Sequence, residues 1–522
     1  MSRFRPWLAP LAVFSVGFFF FHRQEVLSLW DQMPGDRGDP RFVGFLLEHW
    51  HQALRGTFHV LSPPIFYPVK ETLRYTHALV GYLPLYLPWR WLGIDPWSSQ
   101  QLAFALVEIL NFASALWLLG TVMGVERKLA LFFAAFVSFN SAKFNFIGHP
   151  QLQLLFYLIV ATGLVAKAMK EAPDRSRLSI WAMLGAAAIL LDLQLLTDVY
   201  NAWFLCLWAG LWGLLSLSRA ETRAWIVQHR QKLTLPAAGA LLVLGLGLVP
   251  FLRLYLPAMR LFGGWKYDGL LDMIPRWYSF FSMGDGNWLW GWLPVPRGYA
   301  FSWEHHIGLG FAIYLLTCIV LFSWRSLPWV ARSCLFATVL FVMIAFRYGD
   351  TKSPWQLVHA IIPGAQSLRA IARYVIVLTI PLAIALGLAL TARMGGWSAW
   401  KNRAVWALLL LAALEQLGTG KSFSKSKERA YLEGLRSQIP DRCEAFYTAA
   451  PAGRSTEVLA NAVDAMWLAL LRGIPAVNGY SGHYPNGWYL FDTTDPEYQL
   501  RVSRWVSQNR IQGAVCRVEV DQ

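Results

Sequence analysis

Ten residues beyond the first hydrophobic segment, the chain reads Asp31-Gln-Met-Pro-Gly-Asp36-Arg-Gly-Asp39-Pro40. Carboxylates held against a bilayer are costly and mark function by default. A carboxylate in reach of a hydroxyl can serve as a general base. Asp39 precedes Pro40, and the pattern predicts a helix over 40–55, so a helix cap competes for Asp39. Asp36 lies in a turn between Gly35 and Arg37 with no cap to make. Asp36 is therefore the expected catalytic carboxylate, with Asp39 the second candidate.

Other polar residues of the same character follow. His77 lies in a Pro- and Tyr-rich loop after Phe66-Tyr67-Pro68. Gly148-His149-Pro150-Gln151 is read as the start of a helix, where a positive dipole end suits an anion such as phosphate. Asp198 marks a tight turn, and Asp192 lies deeper in the preceding helix and needs a partner inside the bundle. Glu304-His305-His306 opens a helix predicted from 306, where an acid could also cap. Arg369 and Arg373, four apart, would share one face at the start of a later helix and could grip a phosphate. The chain has no GxxxxGK[ST], HExxH, CxxC or GxSxG motif. No cofactor is firmly implied. A divalent metal is left open, because His149, His305 and His306 have the right atoms without a firm ligand spacing.

The elements that carry these residues are hydrophobic helices. Hydrophobic residues make up 56% of the 522 residues and charged ones 15%, against about 25% charged in soluble proteins. Apolar runs near the ~20 residues needed to cross a bilayer recur. About eleven membrane helices are predicted, near 7–28, 99–122, 129–147, 151–169, 178–196, 200–217, 234–256, 306–323, 329–346, 372–392 and 403–418. The first is read as an uncleaved signal anchor. The net charge of +15 sits in short loops between apolar runs, which favours anionic lipids over nucleic acid as the electrostatic partner. With the N-terminus inside, every predicted inner loop is basic. The outer loops, 31–98, 257–305 and 349–371, are longer and contain acids, histidines, Gly and Pro, and in this frame every histidine except His229 lies on the outer side. The helix over 40–55 reads as amphipathic, lying in the interface with Glu48, His49 and His51.

The chain thus divides into a membrane part, 1–418, and an outer α/β domain, 419–522, joined by a polar linker around Lys421–Lys427. That domain is predicted to hold helices at 428–438 and 457–472 and strands at 443–449 and 513–520. Cys443 and Cys516 are its only cysteines, and an oxidising compartment would let them pair. The aromatic stretch Tyr480 to Tyr489 could stack on sugars or pack the domain onto the membrane part.

Together Gly35-Asp36, Phe66-Tyr67-Pro68 with His77, Gly148-His149-Pro150-Gln151, Glu304 and Leu368-Arg369 to Arg373-Tyr374 resemble the bacterial GT-C-fold membrane glycosyltransferases, including the mannosyltransferase-like and Rgt-like proteins. The tail segment Asn478-Gly479-Tyr480-Ser481-Gly482 carries the same likeness. Many members have adjacent acids in the first loop, where this chain has Asp36-Arg-Gly-Asp39. The resemblance implies an all-α polytopic bundle in the bacterial inner membrane, with the C-terminal domain periplasmic. It also implies a polyprenyl-phosphate sugar donor, a glycan or lipid-linked acceptor, and inverting transfer. Asp36 would be the base, and His77, His149, Gln151, Asp198, Glu304, Arg369 and Arg373 would line the substrates. A lipid or glycan flippase, or a non-catalytic assembly factor that keeps the fold, are the alternatives.

Overall fold

A computed structural model describes residues 5–293, 301–450 and 457–520; Arg3 and part of the predicted loop 257–305 lie outside them. Helices α1 (Arg5–Phe21) and α2 (Arg23–Leu27) lead to strand β1 (Gln32–Pro34) and helix α3 (Asp39–Leu54). Then come α4 (Leu83–Trp91), α5 (Pro96–Leu116) with a π turn to Val122, α6 (Arg127–Phe139) and the short α7 (Ser141–Asn145). Helices α8 (Phe156–Glu171), α9 (Arg177–Leu195), α10 (Val199–Ser218) and α11 (Ala220–Phe262) follow. The second half holds α12 (Phe311–Phe322), α13 (Trp329–Ile344), α14 (Trp355–Ile361), α15 (Tyr374–Met394) and α16 (Ala399–Glu415). The chain finishes with β2 (Ser422–Ser424), α17 (Lys425–Arg436), β3 (Ala445–Ala449), α18 (Val458–Arg472), α19 (Tyr498–Gln508) and β4 (Val515–Glu519).

Each predicted membrane segment contains a helix, though those predicted at 151–169 and 306–323 become α-helical only at Phe156 and Phe311. Among the described residues six helices are long and apolar enough to cross a bilayer, and three more are apolar but shorter. The chain is a multi-pass membrane protein. Helix α11 differs from expectation: the basic stretch from Arg219 to Lys232, predicted as a loop, is its first third. At 43 residues it runs about 64 Å, roughly twice the hydrocarbon thickness. It packs along α9, and Gly247 is where the two meet. A Cβ there would fall 1.8 Å from Asp192 Oδ2, so the glycine makes room for that carboxylate. Asp192 Oδ1 has no hydrogen-bond partner among the described residues.

Two large apolar cores form among the described residues, beside a small cluster of Ala168, Ala172, Ile180 and Leu233. One fills the bundle, centred on α15, which is buried over most of its length, and joined by α6, α10, α12 and α13. The other combines α3, α4 and the start of α5 with the chain beyond residue 422. The C-terminal region is therefore not separately cored, as a distinct α/β domain would be. Its strands β3 and β4 pair in parallel, Ala445 against Val515 through Ala449 against Glu519, and the Cys443–Cys516 disulfide lies beside them. The predicted polar linker is strand β2, paired antiparallel with β1.

Helix α3 is the element both parts share. It was expected to lie in the membrane interface, but 12 of its 16 residues are buried. Trp467 of α18 stacks on Trp97 at 4.5 Å and donates Nε1–H to Arg41 O at 3.0 Å. Truncating such a side chain costs about 3–5 kcal/mol. Arg41, with no exposed surface, pairs with Asp464 of α18 and Glu428 of α17, and Arg37 reaches Glu428 at 2.6 Å. Glu48, predicted as interfacial, takes Arg90 Nε at 2.7 Å and the Tyr86 hydroxyl at 2.8 Å.

Candidate active site

The two aspartates of the first loop part company. Asp36 is exposed, and its Oδ1 accepts the Gly38 amide at 3.0 Å. The residue before α3 is Gly38, and the Asp39 side chain does not cap the helix. Asp39 turns inward instead. The turn uses Asp36 for its own backbone, whereas Asp39 reaches across the molecule.

Asp39 Oδ2 lies 2.9 Å from His149 Nδ1. His149 Nε2 lies 3.1 Å from Arg373 Nη2. Arg373 Nε donates to Glu304 Oε2 at 3.0 Å, and Nη2 bonds the other oxygen. A guanidinium only donates. His149 Nε2 must therefore accept, and its proton is on Nδ1, donated to Asp39. The imidazole is a neutral linker between a carboxylate and an arginine.

Three breaks in helical structure build this line. His149 does not begin a long helix, as predicted; it lies in an irregular stretch between α7 and α8, where Pro150–Leu152 makes one 3-10 turn. Asn111, Gln153 and Asn201 satisfy the freed backbone groups there, and the Tyr82 hydroxyl donates to Pro150 O. Buried irregular backbone must be paired in this way. Glu304 is on a 3-10 turn, Ser302–His305, and α12 starts only at Phe311. Its N-terminus is capped by Glu415 of α16, not by Glu304. Likewise α15 begins at Tyr374, so Arg369 and Arg373 precede it and do not share a face. Gly35 joins the pieces. At φ +91° a Cβ would sit 2.6 Å from Pro40 Cγ and 3.0 Å from Gly148 Cα, so only glycine lets the first loop close on the His149 stretch.

Burial opposes the charge of Asp39, but His149, Tyr480 and Arg373 outweigh it and hold the carboxyl below its ordinary value. Glu304 is likewise held low, burial being outweighed by Arg373. His77 has its ring 6.1 Å from that of Tyr200. Burial, with the charge of Arg373, pushes it down to about 4. It is a neutral neighbour of the line, not a bonded member. Asp198 caps α10 through the amides of Tyr200 and Asn201, and burial pushes it up to about 7. Gln151 is buried with Oε1 unpartnered and bonds to none of these groups. His305 and His306 face Ser279 and Ser282. Among the described residues no cluster of three metal-ligating side chains forms.

Arg369 behaves differently from Arg373. Its guanidinium stands 5.0 Å from the centre of the Trp265 ring and 5.9 Å from that of Phe301. No described carboxylate lies within 4.0 Å of it. Its amide, with that of Ala370, donates to the Tyr200 hydroxyl.

Tyr480 was not among the expected site residues. Its hydroxyl donates to Asp39 Oδ1 at 2.9 Å. Burial and the Asp39 charge raise the phenol well above its ordinary value, so it keeps its proton. The only signal in the sequence was the Asn478-Gly479-Tyr480-Ser481-Gly482 segment, whose partner 441 residues away could not be read from it.

No protein-family model matches the chain, and no curated protein does. Solved structures do. The archaeal oligosaccharyltransferase AglB from Archaeoglobus fulgidus, in complex with an inhibitory peptide and a dolichol-phosphate, is 13% identical over 92% of this chain and 65% of that one, with a TM-score of 0.48. The arabinofuranosyltransferase AftD from Mycobacteria is 14% identical over 87% of this chain, with a TM-score of 0.50. This chain spans only 31% of AftD's length. The likeness to AftD is one of fold, the GT-C fold.

Proposed function

We propose that the protein is an integral membrane glycosyltransferase that moves a sugar from a polyprenyl-phosphate carrier to a glycan or lipid-linked acceptor. The observation that carries this reading is the Asp39–His149–Arg373–Glu304 line at the junction of the two cores. Its working end is a carboxylate with 24% of its side-chain surface exposed, oriented by a histidine of fixed tautomer. A base held in place by a neighbour that cannot itself take the proton suits abstraction from a hydroxyl.

Asp39 is the base in this reading. The acceptor hydroxyl gives its proton to Asp39 while its oxygen bonds the sugar's anomeric carbon. The bond from that carbon to the carrier phosphate breaks, and the polyprenyl phosphate leaves with the electron pair. The transition state is oxocarbenium-like, and one displacement inverts the anomeric centre. The charge of Arg373 is already matched by Glu304. Arg369, set against aromatic faces, is the cation left to meet the carrier phosphate and the charge that develops on it. The site is proposed to open to the periplasmic side of the bacterial inner membrane, as the alternation of basic loops favours.

The test is transfer by the full-length protein in lipid nanodiscs, supplied with radiolabelled polyprenyl-phosphate sugars and an envelope glycan extract. Label should appear in the acceptor with wild type and disappear with Asp39→Asn. Transfer that survives Asp39→Asn would remove this carboxylate from the mechanism. Loss of donor affinity is expected in Arg369→Ala.

A further inference from the structure

We propose that the Tyr480 phenol holds the place of the acceptor's attacking sugar hydroxyl at Asp39 Oδ1, so that acceptor binding and displacement of Tyr480 are one event. The inference rests on the glycosyltransferase reading and assigns the acceptor subsite within it.

Each oxygen of Asp39 has a different kind of partner. Oδ2 takes the proton of His149 Nδ1, and that bond cannot be given up cheaply. Turning the imidazole would also break its bond to Arg373 Nη2, a guanidinium that is 8% exposed. Oδ1 takes only the Tyr480 hydroxyl, at 2.9 Å. A substrate hydroxyl about to lose its proton must stand at the same distance from the same atom. Phenol and sugar O–H groups are interchangeable donors to a carboxylate. The base therefore has one oxygen for orientation and one for exchange.

The segment that carries Tyr480 is built to move. Just before it the chain is pinned: Phe66 and Tyr67 donate their amides to Asn478 O and Ala476 O, and the Asn478 side chain bonds Thr448 and Tyr498. After that, among the described residues, no backbone hydrogen bond holds 479–484. Gly479 and Gly482 flank Tyr480 and Ser481, and the buried Ser481 hydroxyl has no partner. The strap stays down through side chains alone. Tyr480 meets Phe42 edge-on at 5.0 Å, and His483 stacks on Phe262 at 4.7 Å and on Trp265 at 5.6 Å. Few backbone bonds and mostly side-chain contacts mark the segments that open locally. Lifting Tyr480 would expose Asp39 beside the faces of Phe42 and Tyr484 and near Arg369, a setting of aromatic rings and one cation suited to a sugar next to a phosphate.

The experiment has two arms. In the first, acceptor KM and kcat are measured for wild type and Tyr480→Phe in nanodiscs. Removing the competing donor should lower acceptor KM by about three- to tenfold, the worth of one hydrogen bond. A tenfold or greater fall in kcat with KM unchanged, or no change in either, overturns the proposal. The second arm needs no turnover. Tyr480→3-fluorotyrosine is followed by fluorine NMR while methyl α-mannoside, methyl α-arabinofuranoside and methyl β-glucoside are added in turn. At least one should shift the resonance saturably, and the shift should vanish on Asp39→Ala. A resonance unmoved by every glycoside overturns the proposal. If wild type transfers no sugar, the glycosyltransferase reading fails in the first arm, and the fluorine arm alone decides whether a sugar hydroxyl displaces Tyr480.

Discussion

Two buried charge clusters lie within a few residues of each other along α3 and behave differently. Arg37, Arg41, Glu428 and Asp464 form one; Asp39, His149, Arg373 and Glu304 form the other. In the first, two cations meet two anions, and Arg41 and Asp464 have no exposed side-chain surface. The charges match in number, and the cluster clamps the C-terminal region to α3. In the second, Glu304 is closed off, whereas His149 and Asp39 retain 19% and 24% of their side-chain surface. A charge cluster becomes a site when one member keeps both an exposed edge and a partner that something else can replace. Tyr480 is that replaceable partner, and Arg369 is the neighbouring cation without a described carboxylate.

The comparison breaks or sharpens at four points, taken from the largest effect to the smallest. Asp39→Asn should lower transfer by about 10²–10⁴-fold, the range of a lost general base, while thermal unfolding in detergent stays near wild type. A large drop in unfolding temperature instead would mark the second cluster as structural too. Asp464→Asn should do the reverse. It leaves two arginines to share Glu428 and should cost about 3–5 kcal/mol of stability, read as loss of folded protein by size-exclusion fluorescence.

A third test uses acid. Glu48 is 3% exposed. Burial alone would raise it, yet His51, Arg90 and Tyr86 outweigh burial and bring it down to about 2 from 4.5. A carboxylate depressed in the fold contributes stability that is full above its unfolded value and is lost as pH falls through the folded one. That contribution, about 3 kcal/mol, should drain away between pH 4.5 and 2. In Glu48→Gln the slope of unfolding temperature against pH should flatten over that window. The smallest effect belongs to Asp36→Asn. The amide can still accept the Gly38 N–H, and transfer should change by less than about twofold. A loss comparable to that of Asp39→Asn would return the base to Asp36.

Much of the bundle was legible because hydropathy and length are local properties. Runs such as Val199–Ser218 and Tyr374–Met394 announce themselves as helices. Where helices stop was less legible. Gly148-His149-Pro150 and Leu368-Arg369 read as helix starts, and both are irregular stretches held by side chains from other helices, Asn111, Asn201 and Tyr200 among them. Helix α3 read as interfacial because its pattern is amphipathic, yet the α18 face that buries it lies more than 400 residues away. The region beyond residue 422 read as its own domain because it follows a polar stretch, and its apolar core is completed by α3, α4 and α5.

By itself the sequence determined the solvent each helix would need, since apolar length admits only one, and it supplied the acids, histidines and arginines a phosphate-sugar chemistry would use. Tertiary structure alone decided which carboxylate reaches the buried line of charges. Asp36 and Asp39 are chemically alike and three residues apart, and what separates them is reach: one accepts a backbone amide two residues on, and the other meets His149 and Tyr480. A cap is a local preference and can be read from neighbours. A hydrogen bond across 441 residues depends on where the whole chain has packed, and no spacing within the first loop encodes it.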